Sequence, residues 1–170
     1  MEDFQFLKGH TLSQLKDIGS SSANTLKRLF TLGFIMGMVY FTLEGFWRGW
    51  THIAMLFIGG SCAVLIGLLN EQPEYYGLKI WQQSFIGMLV VLLVEFMSGM
   101  ILNVWLGWGL WDYSELPGNL YGQICLPYSI MWFFLIPAAI CLDDWLRWKL
   151  YQEGQAISLG EIYLRLITLK

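Results

Sequence analysis

LYGQICLPYSIMWFFLIPAAICL, residues 120–142, decides the fold class, because 23 consecutive residues carry no charge. At ~1.5 Å of rise per residue, a helix of that length crosses the ~30 Å hydrocarbon core of a bilayer. Three further apolar blocks precede it: Leu29–Leu43, Ile53–Leu69, and Phe85–Val94 resuming at Phe96. The composition agrees, with 56% hydrophobic and only 14% charged residues, against about 25% charged in soluble domains. One soluble domain could not hide so much apolar surface. The expected fold is therefore an all-α integral membrane protein, with four transmembrane helices arranged as two hairpins and short amphipathic terminal segments.

The second block is short, and Gly59-Gly60-Ser61 weakens it as an isolated helix. Packing compensates, since small residues let helices approach closely in lipid. The mostly polar residues 1–28 precede the first apolar block, and no small-residue cleavage site follows it. That block reads as a retained anchor rather than a signal peptide.

Of the ten basic residues, only Arg48 falls between the first and second spans or between the third and fourth. Lys8, Lys16, Lys27, Arg28, Lys79, Arg147, Lys149, Arg165 and Lys170 all fall on the other side. The positive-inside rule then puts both termini in the cytoplasm of a cell that carries the protein in its plasma membrane. The expected organisation is a cytoplasmic segment 1–28, a four-helix domain 29–145 and a cytoplasmic amphipathic segment 146–170. In the last of these, Leu159, Ile162, Tyr163, Leu166 and Ile167 follow one helical face. Ser158 and Glu161 have capping-box spacing, and Ile157 with Ile162 fits a hydrophobic staple. A helix lying on the inner membrane surface and a helix docked on protein are both open readings. Leu12, Leu15 and Ile18 give a weaker version of the pattern near the N-terminus. Trp145, Trp148 and Tyr151, beside Arg147 and Lys149, read as an interfacial belt.

Two acids interrupt the apolar blocks: Glu44 in VYFTLEGFWRGW and Glu95 in VVLLVEFMSGM. Counted from Leu29, Glu44 lies ~22 Å along its helix, whereas Glu95 is nearer the middle of the third span. An ionisable group there costs at least a few kcal/mol, so it should face the bundle or a watery cavity and have a partner. Glu44 shares a helical stripe with Gly33, Gly37 and Arg48, and Glu95 shares one with Ser84, Gly87, Ser98 and Gly99. Glu44 and Arg48 have the favourable order for an i, i+4 ion pair, and a pair between Arg48 and Glu95 across the bundle is the alternative. Each hairpin thus begins with a helix carrying one Glu followed by a Gly, a faint sign of parallel repeats. His52, Asp112 and Asn119 complete a polar set near the same ends of the helices.

Between the last two apolar blocks lies GLWDYSELPGNLYG, residues 109–122. Asp112 or Ser114 can bond the backbone of a tight turn, and Pro117-Gly118 is a turn signal. Trp108, Trp111 and Tyr113 suit the outer interface. The loop reads as a folded cap returning towards the bundle.

This stretch also carries a resemblance. Glu95-Phe96, Ser98-Gly99, Trp111-Asp112-Tyr113-Ser114, Pro117, Asn119, Gly122, Ile124-Cys125-Leu126, Ser129 and Trp132 closely resemble the signature of the CmpB-like, or ABC-transporter type IV, family of membrane proteins. The family is similar in a Leu-Glu pair and an Arg-Gly step, here Leu43-Glu44 and Arg48-Gly49. The resemblance covers about residues 30–145. After Arg48-Gly49 the chain has WTHIAMLFIGG in place of a Pro-containing aromatic stretch, and Asn103 lies where an acid is frequent. The family name implies transport. No G-x-x-x-x-G-K-[ST] loop occurs, so an ATPase would be a separate chain.

The polar residues leave two main readings. Glu44, Arg48 and Glu95, with Asp112, could line a cavity in a transport or permeation component. Alternatively they serve helix packing and partner docking in a structural or regulatory subunit. An enzyme is the least favoured reading, with no H-E-x-x-H, G-x-S-x-G or Cys-His arrangement and no catalytic residue to name. No cofactor or metal is expected, because Cys62, Cys125 and Cys141 sit in apolar runs as packing residues. A net charge of −3 without a basic cluster argues against nucleic acid. The expected partners are the lipid bilayer and either further copies of the chain or another membrane protein, since four helices seldom enclose a path alone.

Overall fold

The computed structural model describes the backbone of residues 2–169 and the side chains of residues 24–169. It is all-α, with helices α1 (Glu2–Arg48), α2 (Ile53–Asn70), α3 (Pro73–Tyr76), α4 (Ile80–Gly99), α5 (Leu126–Tyr151) and α6 (Leu159–Ile167). A wider π-helical turn, Met100–Trp105, continues α4. Four stretches are long and apolar enough to cross a membrane: Asn24–Arg48, Ile53–Asn70, Ile80–Trp105 and Leu126–Tyr151. The chain divides into two compact units, Met1–Thr31 and Leu32–Lys170. The side chains of Lys8, Leu12, Leu15, Lys16, Ile18 and Lys170 lie outside the described residues.

In the larger unit, burial follows the helical stripes. On α4, Ile80, Ser84, Gly87, Val91, Glu95 and Gly99 are buried at three- and four-residue intervals, which is one face of a 3.6-residue helix. On α1 the buried positions Leu32, Gly33, Met36, Gly37 and Glu44 form the corresponding stripe. The α1–α2 crossing is tight because both sides lack side chains. A Cβ at Gly60 would come within 2.6 Å of the Gly33 carbonyl oxygen, and one at Gly37 would strike the Leu56 carbonyl oxygen. The weak-looking Gly59-Gly60-Ser61 step in α2 is thus the contact that lets α1 approach.

The fourth spanning helix is displaced from the charge-free run that revealed it. Cys125 is its N-cap and Pro127 lies in its first turn, a position that proline tolerates because no intrahelical donor is lost there. Residues 120–125 therefore belong to the preceding loop. At its other end α5 runs on through Asp143, Asp144, Arg147 and Lys149 and stops at Gln152, whose φ of 59° is left-handed. These charges are tolerated because Asp143 and Arg147 point into the bundle, with Arg147 Nε donating to Asp143 Oδ2 at 2.6 Å. Arg147 is consequently not part of an interfacial belt, whereas Trp145 and Trp148 are exposed.

Helix α6 starts where its cap predicts, with Ser158 Oγ accepting from Glu161 N–H at 3.2 Å. It docks on protein. Ile162 and Leu166 are buried in one cluster with Ile66, Ile80, Val91, Ile136 and Ile140, and Ile157 packs against it. The Tyr163 hydroxyl donates to the Phe134 carbonyl at 2.7 Å. Leu159 and Ile167, at the two ends of the apolar face, remain exposed, so only its middle is spent on this contact.

Candidate functional site

Glu44 and Arg48 lie one turn apart near the end of α1, and the pair is closed. Arg48 Nη1 donates to Glu44 Oε1 at 2.5 Å, and Arg48 Nη2 donates to the Leu110 carbonyl at 2.6 Å. The Thr51 hydroxyl donates to the other carboxylate oxygen of Glu44 at 2.7 Å. The guanidinium also lies 4.4 Å from the Trp50 ring centroid, within cation–π range. The pair clasps α1 to the residues that follow it and to the loop between the last two spans.

That loop, residues 106–125, is a folded cap built around Asn103 in the π-helical turn. Asn103 Nδ2 donates to the Trp111 carbonyl at 3.1 Å and to Gln123 Oε1 at 2.8 Å, while its Oδ1 accepts from Leu110 N–H at 2.7 Å. Trp111 turns inward rather than to the interface: it is 6% exposed, and its indole N–H donates to the Gln123 carbonyl. Trp108 remains exposed. Tyr113 is half-buried and stacks on Tyr128 with ring centroids 4.6 Å apart.

The signature residues of the cap hold its turns. Asp112 Oδ1 accepts from the Ser114 hydroxyl at 2.5 Å and from the Ser114 N–H at 2.9 Å. These bonds, the hydroxyl's first, favour the charged form and hold the Asp112 carboxyl below its ordinary range. Asn119 Nδ2 donates to the Ser114 and Leu116 carbonyls, and Asn119 Oδ1 accepts from Gly122 N–H. Pro117 closes the turn through its carbonyl, which accepts from Leu126 N–H. Gly122 has a φ of 68°, and a Cβ there would sit 2.7 Å from Asp112 Oδ1. Glycine is required on both counts.

Glu95 is treated differently. It is 5% exposed, and Trp132 Nε1 donates to its Oε2 at 3.1 Å. Tyr113 of the cap also interacts with it. Burial first, and then the charge of Glu95, push the Tyr113 phenol above its ordinary range. Among the described residues no cationic side chain pairs with Glu95, and Arg48 is occupied by Glu44 and Leu110. Glu95, Tyr40, Cys62 and Trp132 instead line a cavity of about 180 Å³ whose other walls are aliphatic. Glu44, Arg48 and Asp112 do not line it.

A second polar cluster at the opposite end of the bundle escaped the sequence reading. Arg147 bridges Asp143 and Glu71, and Asn70 Nδ2 donates to Asp144 Oδ1 at 2.7 Å. Gly67 makes room for it, since a Cβ there would lie 2.9 Å from both Arg147 Nη2 and Asp143 Oδ1. The only available signal was the i, i+4 spacing of Asp143 and Arg147. The roles of Asn103, Gln123 and Trp132 likewise needed the fold, because their partners lie 8 to 37 residues away.

The model of the family described as "Putative ABC-transporter type IV" matches residues 28–156. The chain belongs to this family. The matched stretch contains Glu44, Arg48, Glu95, the cap and the Asp143–Arg147 pair, and ends before α6. No curated protein and no solved structure matches the chain. The family name and the four apolar helices make it a transporter-related integral membrane protein in contact with lipid.

Proposed function

We propose that the chain is a transport or permeation component whose intramembrane site centres on Glu95, with Tyr40 and Trp132 beside it. The observation that carries this reading is a buried carboxylate on a cavity wall with no cationic side chain paired to it among the described residues. An ionisable group inside a membrane protein is costly unless it faces a pathway or a partner. Glu44 and Arg48 complete the polar centre as the tether of the cap. Trp111, Asp112, Tyr113, Ser114, Pro117, Asn119 and Gly122 form that cap and close the site on one side. The protein resides in the plasma membrane with both termini cytoplasmic, a reading supported by the distribution of basic residues. It works as a homo-oligomer or with another membrane protein.

The test compares stability with function. Glu95→Gln keeps an oxygen for the Trp132 donor, so thermostability in detergent should stay within about 1 kcal/mol of wild type. The same variant should fail to complement deletion of the native protein. Loss of stability and function in parallel would overturn the reading. Orientation is checked with single cysteines at the exposed positions Glu115 and Gln155, in a background lacking the native three. An impermeant thiol reagent on intact cells should label only the first.

The second reading, a structural or regulatory subunit, has one observation in its favour. The polar side chains of the clasp and the cap find their partners within the chain. It predicts that Glu95→Gln complements fully, whereas variants of the clasp do not.

A further inference from the structure

The cavity beside Glu95 has a chemistry that selects a class of ligand. Its walls come from four helices, with Tyr40 on α1, Cys62 on α2, Glu95 on α4 and Trp132 on α5. Its lining residues Val39, Leu43 and Leu135 also belong to the exposed apolar surface. The cavity therefore opens sideways between α1 and α5, on the face that meets lipid. A solute reaching it from there must itself partition into an apolar phase.

Inside, the polar groups are few. Glu95 supplies one carboxylate, 5% exposed and hydrogen-bonded to Trp132. Tyr40 and Trp132 supply an aromatic pair with ring centroids 5.8 Å apart. A carboxyl group in an apolar cleft either keeps its proton or takes a counter-charge, and an aromatic wall attracts a cation within about 6 Å of a ring centroid. A cation is thus the ligand that holds the group ionised, whereas a neutral ligand leaves it protonated and an anion opposes its ionisation.

We infer that this cleft binds lipophilic organic cations, with Glu95 as the counter-ion, Tyr40 and Trp132 as the aromatic wall, and entry from the bilayer between α1 and α5. The inference rests on the reading of Glu95 as the site and adds the ligand class to it. Size sets the scale. A cavity of about 150 Å³ takes a benzene-sized molecule, so about 180 Å³ encloses an aromatic ring or a small ammonium head and little more. Longer tails would extend through the lateral opening.

The probes are trimethylphenylammonium, its neutral isostere tert-butylbenzene, and benzenesulfonate, titrated by calorimetry into the full chain in lipid nanodiscs. The cation should bind at least tenfold more tightly than either of the others. Glu95→Gln should erase that preference. Ala139→Phe, which fills the cavity from α5 and leaves the carboxylate in place, should abolish binding of the cation. It also carries the test if Glu95→Gln does not fold. Equal affinity for the cation and its isostere, or a preference that survives both substitutions, overturns the assignment. If wild type shows no preference while Glu95→Gln still fails in complementation, the ligand class falls and the Glu95 site stands. If Glu95→Gln also complements, both fall.

Discussion

Glu44 and Glu95 hold similar places in the two hairpins, each on the small-residue stripe of a spanning helix, yet the bundle uses them differently. Glu44 has a cation four residues along its own helix and becomes half of a clasp, with both carboxylate oxygens bonded. Glu95 has none and is left on a cavity wall with an indole N–H. An acid in an apolar helix with a local i, i+4 cation is neutralised before the helices pack, so it can serve as scaffold. An acid without one carries its need for a counter-charge into the assembled bundle.

The most severe test of this contrast is at the other end of the molecule. Asp143 and Arg147 repeat the i, i+4 arrangement of Glu44 and Arg48, but more deeply, with side chains 2% and 7% exposed and Glu71 as a second anion. Arg147→Gln takes the cation from Asp143, whose side chain is 2% exposed, and removing one partner of a buried ion pair costs about 3–5 kcal/mol. It should give the largest fall in detergent thermostability of any single change considered. A near-neutral result would show that the local pairing is not what lets charges enter α5.

Arg48→Gln comes next. The Arg48 side chain is 23% exposed, so water offsets part of the loss, and a stranded buried group costs about 1–3 kcal/mol. The double change with Glu44→Gln removes both charges and should restore most of that stability. Hydrogen exchange over residues 106–125 should rise in Arg48→Gln, because the Leu110 carbonyl loses its donor. If the cap stays protected while the protein loses stability, the clasp does not reach across to it.

Smaller still is the effect of Glu95→Gln on stability, expected within about 1 kcal/mol, and it is the sharpest point of the contrast. Glu44→Gln strands Arg48 and should cost more. Equal losses would place Glu95 with the scaffold.

Much of this architecture is written locally. The charge-free run at 120–142, the blocks before it and the Gly33–Gly37 and Ser84–Gly87 stripes specify four packed helices, because periodicity and burial are short-range properties of the chain. The limits of α5 were not legible. Charge marks where a helix should leave the membrane, and Asp143 and Arg147 cancel that mark by pairing inside the bundle. The cap was half legible: Asp112, Ser114 and Asn119 announce turns, but Trp111 looked interfacial because its inward hydrogen bond depends on Gln123. Of the candidate residues, Glu95 was legible as a membrane acid with no cation within its own helix turn. That Arg48 does not meet it follows from Leu110 competing for the guanidinium, a contact between residues 62 positions apart.

The smallest expected effect concerns the only acid of the polar set that faces water. Asp112 is exposed and accepts both Ser114 donors, and its carboxyl titrates below the ordinary value of 3.8. A lowered folded-state pKa stabilises the folded turn at pH above that value, and the contribution disappears as pH falls through the depressed pKa. Local protection of residues 109–122, corrected for intrinsic exchange, should therefore be constant well above that ordinary value and decline as pH falls below it. Asp112→Asn keeps an oxygen for the Ser114 N–H but cannot titrate in this window, so its protection should be independent of pH over the same range. A wild-type profile as flat as that of the variant would mean that the turn is held by Asn119 and Gly122 alone, and that Asp112 contributes shape rather than charge to the cap over Glu95.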